Sequence, residues 1–557
     1  MTESTGAHEA RTPTEIDRIA EEWVDTLVAF SPELATYIGA DGDLERYQDY
    51  SPNGRAAIRG AALATIGKLE AVDPVDDTDR VTKTDLLAEL RLDLELDDAG
   101  WEARDLNVLA SPAQGIREIY DLMPTGTDDD WSTIAKKLTR VSDALEGYAE
   151  TLREGIANGN TPAVRQVREV LTQVRTNASA DGFFHELATG ADVPDALKRD
   201  LLDGARQAAE AYGRFGDFLE NDLAPAARAD DPVGRELYEL LSRRFLGATI
   251  DLDETYEWGI EELRRMVDEQ TRIADQILPG ASVEEAIAHL EKDPTRKLHG
   301  REALREWMQQ LSDTAVDELS RTHFEIPEPV KKLECMIAPT PGGAIYYTGP
   351  TDDFSRPGRM WWSIPEGVDE FDTWRETTTV YHEGVPGHHL QIGQAVYNRA
   401  QLNSWRRLLA GTSGHAEGWA LYAERLMEEL GYLDDPADRL GMLDGQRMRA
   451  ARVVLDIGVH LGKIHPETGQ VWTSDDAFAF MRKNVNMNDG FVNFEVNRYL
   501  GWPGQAPSYK VGQRIWENLR AEIKQREGAD YSDKAFHKRA LDIGGVGLDT
   551  LKFALLG

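Results

Sequence analysis

Residues 381–391 read YHEGVPGHHLQ, and they hold the side chains best suited to metal chemistry. His382 and Glu383 stand side by side, a Gly-Val-Pro-Gly interruption follows, and His388 and His389 close the motif. Hydrolytic zinc asks for three protein ligands, usually imidazole and carboxylate, with one position left open for water. It also asks for a nearby carboxylate to take a proton from that water. In the common H-E-x-x-H helix the two imidazoles are one turn apart and the Glu is the base. Here the second imidazole comes at i+6 or i+7. In a regular helix the Pro386 ring would collide with the carbonyl of His382, while Gly384 and Gly387 let the backbone bend. A helix kinked or bulged inside the motif is therefore expected. A two-residue insertion would put His388 in the second ligand position; a regular helix or a three-residue insertion would favour His389. His388 is the first choice, with the other imidazole behind the ligands or against substrate.

A third ligand is expected from SGHAEGWALYAERLMEELGY. This reads as a helix with Ser413 as its N-cap and Trp419, Tyr422, Leu426 and Leu430 as its apolar stripe. Glu417 lies in the first turn at the edge of that stripe. It could be a surface acid stabilising the helix dipole, but beside the His cluster it reads as a ligand, with Glu424, one heptad on, as the fallback. Further along, Arg452, Asp456 and His460 recur every four residues on one helix face, where Arg452 and Asp456 could form an ion pair that steers His460. His460 and Tyr509 are the candidates for donating to a developing oxyanion. Arg498, Gln505 and Lys510 surround a polar, aromatic WPGQ turn and are candidate substrate contacts. So are Tyr346 and Tyr347, with Trp361 and Trp362, if an edge strand accepts an extended peptide.

Four strings, HEGVPGHHLQ, HAEGWALYAE, ARVVLDIGVH and NRYLGWPGQAPSYKVGQ, occur in an order that resembles the DUF885 family over most of the chain. That family is similar to the α-helical gluzincin-type zinc peptidases of the angiotensin-converting enzyme, thimet oligopeptidase and carboxypeptidase Taq kind. The resemblance implies a helical cleft fold and one zinc ion per chain. It implies ligands at His382, at His388 or His389, and at Glu417, a general base at Glu383, and a transition-state donor at Tyr509.

The elements that must position these groups are mostly helices. EIDRIAEEWVDTLVAF places Ile16, Ile19, Trp23 and Leu27 at steps of three and four, with Thr14 at the helix start. Residues 1–12 are polar and expected to be disordered. Helical periodicity recurs at about 80–98, 132–157, 161–177, 193–226, 232–245, 253–278, 283–293 and 300–322. It returns at about 369–398, 402–410, 413–430, 434–463, 474–486, 490–500, 508–527 and 531–543. Strand signals are confined to 331–339, 344–349 and 359–365, as a hairpin or meander. The expected fold is mainly α, a two-lobed cleft with a small sheet just before the metal-binding helix. Residues 1–250 would form an N-terminal helical lobe and residues 251–557 a site-bearing lobe, although one continuous domain is compatible with the same pattern.

Composition narrows the function classes. The formal net charge is -38, from 61 basic and 99 acidic residues, and only 16 of the basic residues are Lys. Acidity spread along the whole chain suits molar salt, where the Debye length falls to about 3 Å, and points to a halophile. Such a surface repels nucleic acid and anionic lipid. No stretch approaches the roughly 20 apolar residues of a membrane span, and the N-terminus shows no secretory signal pattern, so a cytoplasmic protein is expected. The single cysteine, Cys335, excludes an intrachain disulfide and reads as a small buried hydrophobe. The expectation is a zinc metallopeptidase of short peptides, monomeric or homodimeric. Its rivals are a zinc hydrolase of another amide or ester and a non-catalytic helical protein that binds a peptide or ligand.

Overall fold

The computed structural model describes residues 10–338 and 345–557. The start of the polar N-terminal stretch, and residues 339 and 344 at the ends of two expected strands, lie outside them. About 69% of the chain is helical, and the mainly α expectation holds. The first helix, Glu15–Phe30, begins at Thr14, whose hydroxyl accepts from Asp17 N while the Asp17 carboxylate bonds back to the Thr14 backbone. That reciprocal cap satisfies two otherwise orphaned donors. Ile16, Ile19 and Trp23 are buried, as their spacing requires.

Several elements differ from the sequence expectation. The helix Pro52–Glu70 was not anticipated, because its run of Ala and Gly carries little apolar periodicity. Residues 132–157 form two helices, Asp128–Leu138 and Val141–Asn158. Residues 402–410 hold only the short turn Trp405–Leu409. The C-terminal Leu548–Leu556 adds a helix.

The small sheets are not a meander. Strand β1 (Lys297–His299) pairs antiparallel with β5 (Glu370–Asp372). Strands β2 (Leu333–Ile337), β3 (Tyr346–Thr348) and β4 (Gly358–Trp362) form a sheet of order β2-β4-β3. Here β2 runs parallel to β4, and β3 antiparallel to it. The outer edge of β2 is closed by Gln309, whose side chain bonds Leu333 O and Cys335 N at 2.8 and 3.0 Å. Among the described residues, the outer edge of β3 pairs with no strand. Cys335 is buried, and burial pushes its thiol up to about 11.

Behind the sheet, one helix organises the rest. Pro436–Leu461 is buried along nearly all of its last three turns. Two helices approach it at glycines: a Cβ at Gly441 would sit 2.1 Å from Trp374 O, and one at Gly259 2.8 Å from Val453 Cγ1. The helices Ser413–Glu429 and Gln505–Glu527 are held as closely. A Cβ at Gly512 would lie 2.2 Å from Gly414 O, and one at Gly418 2.4 Å from Gly512 C. This contact sets the helix carrying Glu417 beside the helix carrying Tyr509. Gly512→Ala is expected to lower the unfolding free energy by about 1–3 kcal/mol through overpacking. The readout is a lower urea midpoint at unchanged slope; an unchanged midpoint would show that the two helices have room to spare.

Candidate metal centre

The motif is two helices rather than one bent helix. The first, Thr373–Glu383, ends just after His382, and the second, His388–Tyr397, begins at His388 itself. Between them Gly387 N donates to Tyr381 O at 3.1 Å and His389 N to Gly384 O at 3.1 Å, with Val385–Pro386 a cis peptide. Glycine is required at 387 because a Cβ there would come within 1.9 Å of His382 O. The Trp419 indole pins the turn, donating to Pro386 O at 2.9 Å and Gly387 O at 3.2 Å.

This four-residue break, Gly384 to Gly387, brings His382 and His388 together, with ring centroids 4.8 Å apart and planes at 86°. His382, Glu383 and His388 offer ligand atoms all within 4.8 Å of one another, a group able to hold a metal ion. All three are nearly closed off from solvent. Glu417 joins them from the neighbouring helix. Its Oε2 lies 3.3 Å from His382 Nε2 and 3.6 Å from His388 Nε2, and this buried oxygen has no hydrogen-bond partner. Tetrahedral zinc with bonds of about 2.0–2.1 Å has ligand-to-ligand edges of about 3.3–3.4 Å. The two imidazoles and Glu417 therefore fit a cation, and the orphaned oxygen would be satisfied by one.

Glu424 touches the same His from behind. Its Oε1 accepts from His382 Nδ1 at 2.8 Å, which turns the Nε2 lone pair toward Glu417. Glu424 thus meets His382 at Nδ1, away from the Nε2 that faces Glu417. The relay continues inward. Gln446 Nε2 donates to Glu424 Oε2 at 3.0 Å, Lys510 Nζ donates to Gln446 Oε1 at 2.6 Å, and Lys510 pairs with Glu262 at 3.0 Å.

The electrostatics follow from these contacts. Burial opposes charge on His382, but Glu417 and Glu424 outweigh it and raise its pKa to about 10. Burial likewise opposes the charge on Glu417, yet His382 and His388 hold it well below the ordinary carboxylate range. At Glu383 burial prevails over the two imidazoles and raises the pKa. Burial also raises that of Tyr509.

Both ring nitrogens of His389 are committed elsewhere. A carbonyl can only accept, so His389 Nε2 carries the proton bonded to Val330 O at 2.6 Å. Its Nδ1 then accepts from the Tyr347 hydroxyl at 2.9 Å, and no lone pair is left. Burial lowers its pKa to about 4, in keeping with a neutral ring. Tyr347, expected to line a subsite, instead ties β3 to the second motif helix, while Tyr346 stacks on Trp361 at the sheet surface.

The placement of His460 does not suit an oxyanion donor. It is fully enclosed, its Nε2 donates to Tyr499 O at 3.1 Å, and its ring packs against Tyr238. Nor do Arg452 and Asp456 pair. Arg452 bonds Glu495 and the Tyr499 hydroxyl, both at 2.7 Å, and Asp456 accepts from Tyr238 and from Gly504 N. Arg498 bonds Glu495 and Gln505, so these two brace the WPGQ turn rather than face outward, and Lys510 is buried. Thr412, not Ser413, caps the Glu417 helix, and Ser413 bonds Ser508 at 2.8 Å. Tyr509 keeps its hydroxyl free of hydrogen bonds among the described residues and lies under the Arg452 guanidinium, 5.1 Å from ring centroid to Cζ.

Gln446 and Arg449 were missed in the sequence. Arg449 could have been noticed, because no acid stands three or four residues from it on its own helix.

Residues 32–555 match the model of a family described as bacterial protein of unknown function, DUF885. The chain belongs to the DUF885 family. No curated protein matches it. Among solved structures it is similar to a candidate lipoprotein of Colwellia psychrerythraea at 22% identity, covering 97% of this chain and 98% of that one, with a TM-score of 0.84. It is also similar to a candidate lipoprotein of unknown function from Shewanella oneidensis at 18% identity, covering 98% and 100%, with a TM-score of 0.76. This chain shares its fold with both. A carboxypeptidase of Pyrococcus furiosus is a distant match, at 13% identity, 99% and 97% coverage and a TM-score of 0.42, too weak to bear on activity. The expectation of a cytoplasmic protein is corrected here. Two solved structures that share this fold are candidate lipoproteins, a secreted and membrane-anchored class, which runs against a cytoplasmic assignment. No helix among the described residues is long and apolar enough to cross a membrane.

Gly387→Ala is expected to destabilise the fold by about 2–3 kcal/mol, since its Cβ meets backbone rather than a movable side chain. Calorimetric unfolding checks this, and a melting profile identical to that of the unaltered protein would contradict the turn geometry.

Proposed function

We propose that this DUF885 chain is a zinc-dependent hydrolase that cleaves peptide bonds in short peptides. The observation that supports this reading most is the meeting of His382 Nε2, His388 Nε2 and the unpartnered Glu417 Oε2 at 3.3 and 3.6 Å, with the Glu383 carboxylate alongside. Glu383 also offers an oxygen within 4.8 Å of both imidazoles, but a single Glu417 oxygen faces the two Nε2 atoms at 3.3 and 3.6 Å. We therefore assign Glu417 as the third ligand and leave Glu383 as the base.

A zinc ion held by these three residues would polarise a scissile carbonyl and lower the pKa of water toward about 7. Glu383 accepts a proton from the water that adds to the carbonyl carbon, and passes it to the amine nitrogen as the C–N bond breaks. Tyr509, whose hydroxyl is uncommitted, donates to the developing oxyanion. Glu424 holds His382 in the tautomer that directs Nε2 inward. The outer edge of β3, unpaired among the described residues, would give an extended peptide a line of backbone partners, and Tyr347 fixes that strand to the helix of His388 through His389.

Metal analysis is expected to find close to one zinc per chain. His388→Ala and Glu417→Ala should each lose it, whereas His389→Ala should keep it. Glu383→Gln is expected to retain the metal and lower kcat by about 10²–10⁴-fold on a peptide mixture scored by mass spectrometry. Full metal loss in His389→Ala but not His388→Ala would reverse the ligand assignment, and full activity in Glu383→Gln would remove the base. Protein that refuses zinc would favour a metal-free binding protein, with His382 protonated between its two carboxylates. Glu424→Ala is expected to weaken zinc affinity by about 10–100-fold, read by competition with a chromophoric chelator; unchanged affinity would deny it the orienting role.

A further inference from the structure

Arg449 is the unspent charge of this region. It lies on the Pro436–Leu461 helix three residues after Gln446, which holds Glu424, and three before Arg452, which covers the Tyr509 ring. At 1.5 Å rise per residue it is about 4.5 Å along the axis from each. Its neighbours are committed: Arg452 and Arg498 share Glu495, with Tyr499 and Gln505 completing their bonds. Arg449 makes no ion pair and no side-chain hydrogen bond among the described residues, and its Nε is buried without a partner. Room for the guanidinium comes from Gly445, where a Cβ would stand 2.7 Å from Arg449 Nη1. The place of Arg449 on the helix, between the residue that bonds Glu424 and the residue that covers the Tyr509 ring, sets it beside the proposed orienting carboxylate and oxyanion donor.

A partly buried guanidinium with a spare donor beside a hydrolytic centre calls for an anionic partner. Arg presents a planar fork that matches a carboxylate. A peptide carries such a group one residue beyond its last bond, with successive Cα atoms about 3.8 Å apart. The alternative, that Arg449 merely balances Glu383 and Glu424, leaves unexplained why it contacts neither.

We propose that Arg449 receives the free C-terminal carboxylate of the substrate, so that the chain removes residues from carboxyl ends. This rests on the peptidase reading above and specifies its substrate class.

The test compares a short peptide with a free C-terminus and the same peptide amidated. Turnover is measured on the zinc-loaded protein, and binding is measured by calorimetry on zinc-loaded Glu383→Gln. The free acid is expected to be cleaved at its last bond and to bind about 10–100-fold more tightly than the amide, the range of a charge-assisted hydrogen bond. Arg449→Met should erase that difference in both measurements while zinc content stays at one per chain. Arg449→Lys should restore part of it, which a fold defect would not allow. Cleavage of both peptides at equal rates would overturn the carboxylate assignment and leave the peptidase reading standing. Cleavage of neither, with the binding preference intact and lost in Arg449→Met, would overturn the peptidase reading and leave the carboxylate subsite. Equal losses on acid and amide in Arg449→Met would reduce Arg449 to charge balance and end the proposal.

Discussion

Two imidazole nitrogens and a carboxylate oxygen directed at one another need positive charge between them. With His382 Nδ1 donating to Glu424, its Nε2 faces Glu417 Oε2 as one lone pair facing another. Such an arrangement is stable only with a second proton on His382 or a cation among the three groups. Much of the surrounding structure serves this convergence. The Gly384–Gly387 turn closes the gap between His382 and His388, Trp419 holds the turn from the Glu417 helix, and glycine contacts set that helix against the one bearing Tyr509. A buried relay from Glu424 through Gln446 and Lys510 to Glu262 fixes the rear of the site. Because the interior is close-packed, a displacement in any of these parts is felt at the convergence point.

The residue types of the site were legible in the sequence, and so was one consequence of their spacing. Pro386 forbids a continuous helix, and the chain breaks there into two helices, with His388 opening the second. The choice between His388 and His389 was not legible. It depends on Val330 and Tyr347, which lie 59 and 42 residues away from His389 in the chain and consume both of its nitrogens. His460 misled for a related reason: four-residue spacing from Arg452 and Asp456 puts the three on one face, but not which face meets the site. Arg452 turned to Glu495 and Asp456 to Tyr238, partners that only tertiary packing supplies.

The helices follow the same division. Strong apolar stripes, as in Glu15–Phe30 and Ser413–Glu429, announced themselves, whereas Pro52–Glu70 did not, because its Ala and Gly positions leave little contrast between faces. The strands were recognisable as short β-rich runs, but their order was not. Pairing β2 parallel to β4 depends on a connection that carries β3 to the far side of β4, and local sequence carries no record of that.

The acidic shell and the cationic site act at different ranges. A net charge of -38 sets up a field that opposes the approach of any anionic peptide, and that field decays within about 8 Å at physiological ionic strength and about 3 Å in molar salt. In the proposed subsite Arg449, whose Nε is buried without a partner, would act over no more than a hydrogen bond's length. Salt therefore relieves the long-range repulsion before it weakens the short-range attraction, so the encounter rate of a carboxylate-bearing substrate rises with ionic strength while its bound geometry is kept. A surface that would hinder such a substrate in dilute buffer is consistent with capturing it in concentrated salt.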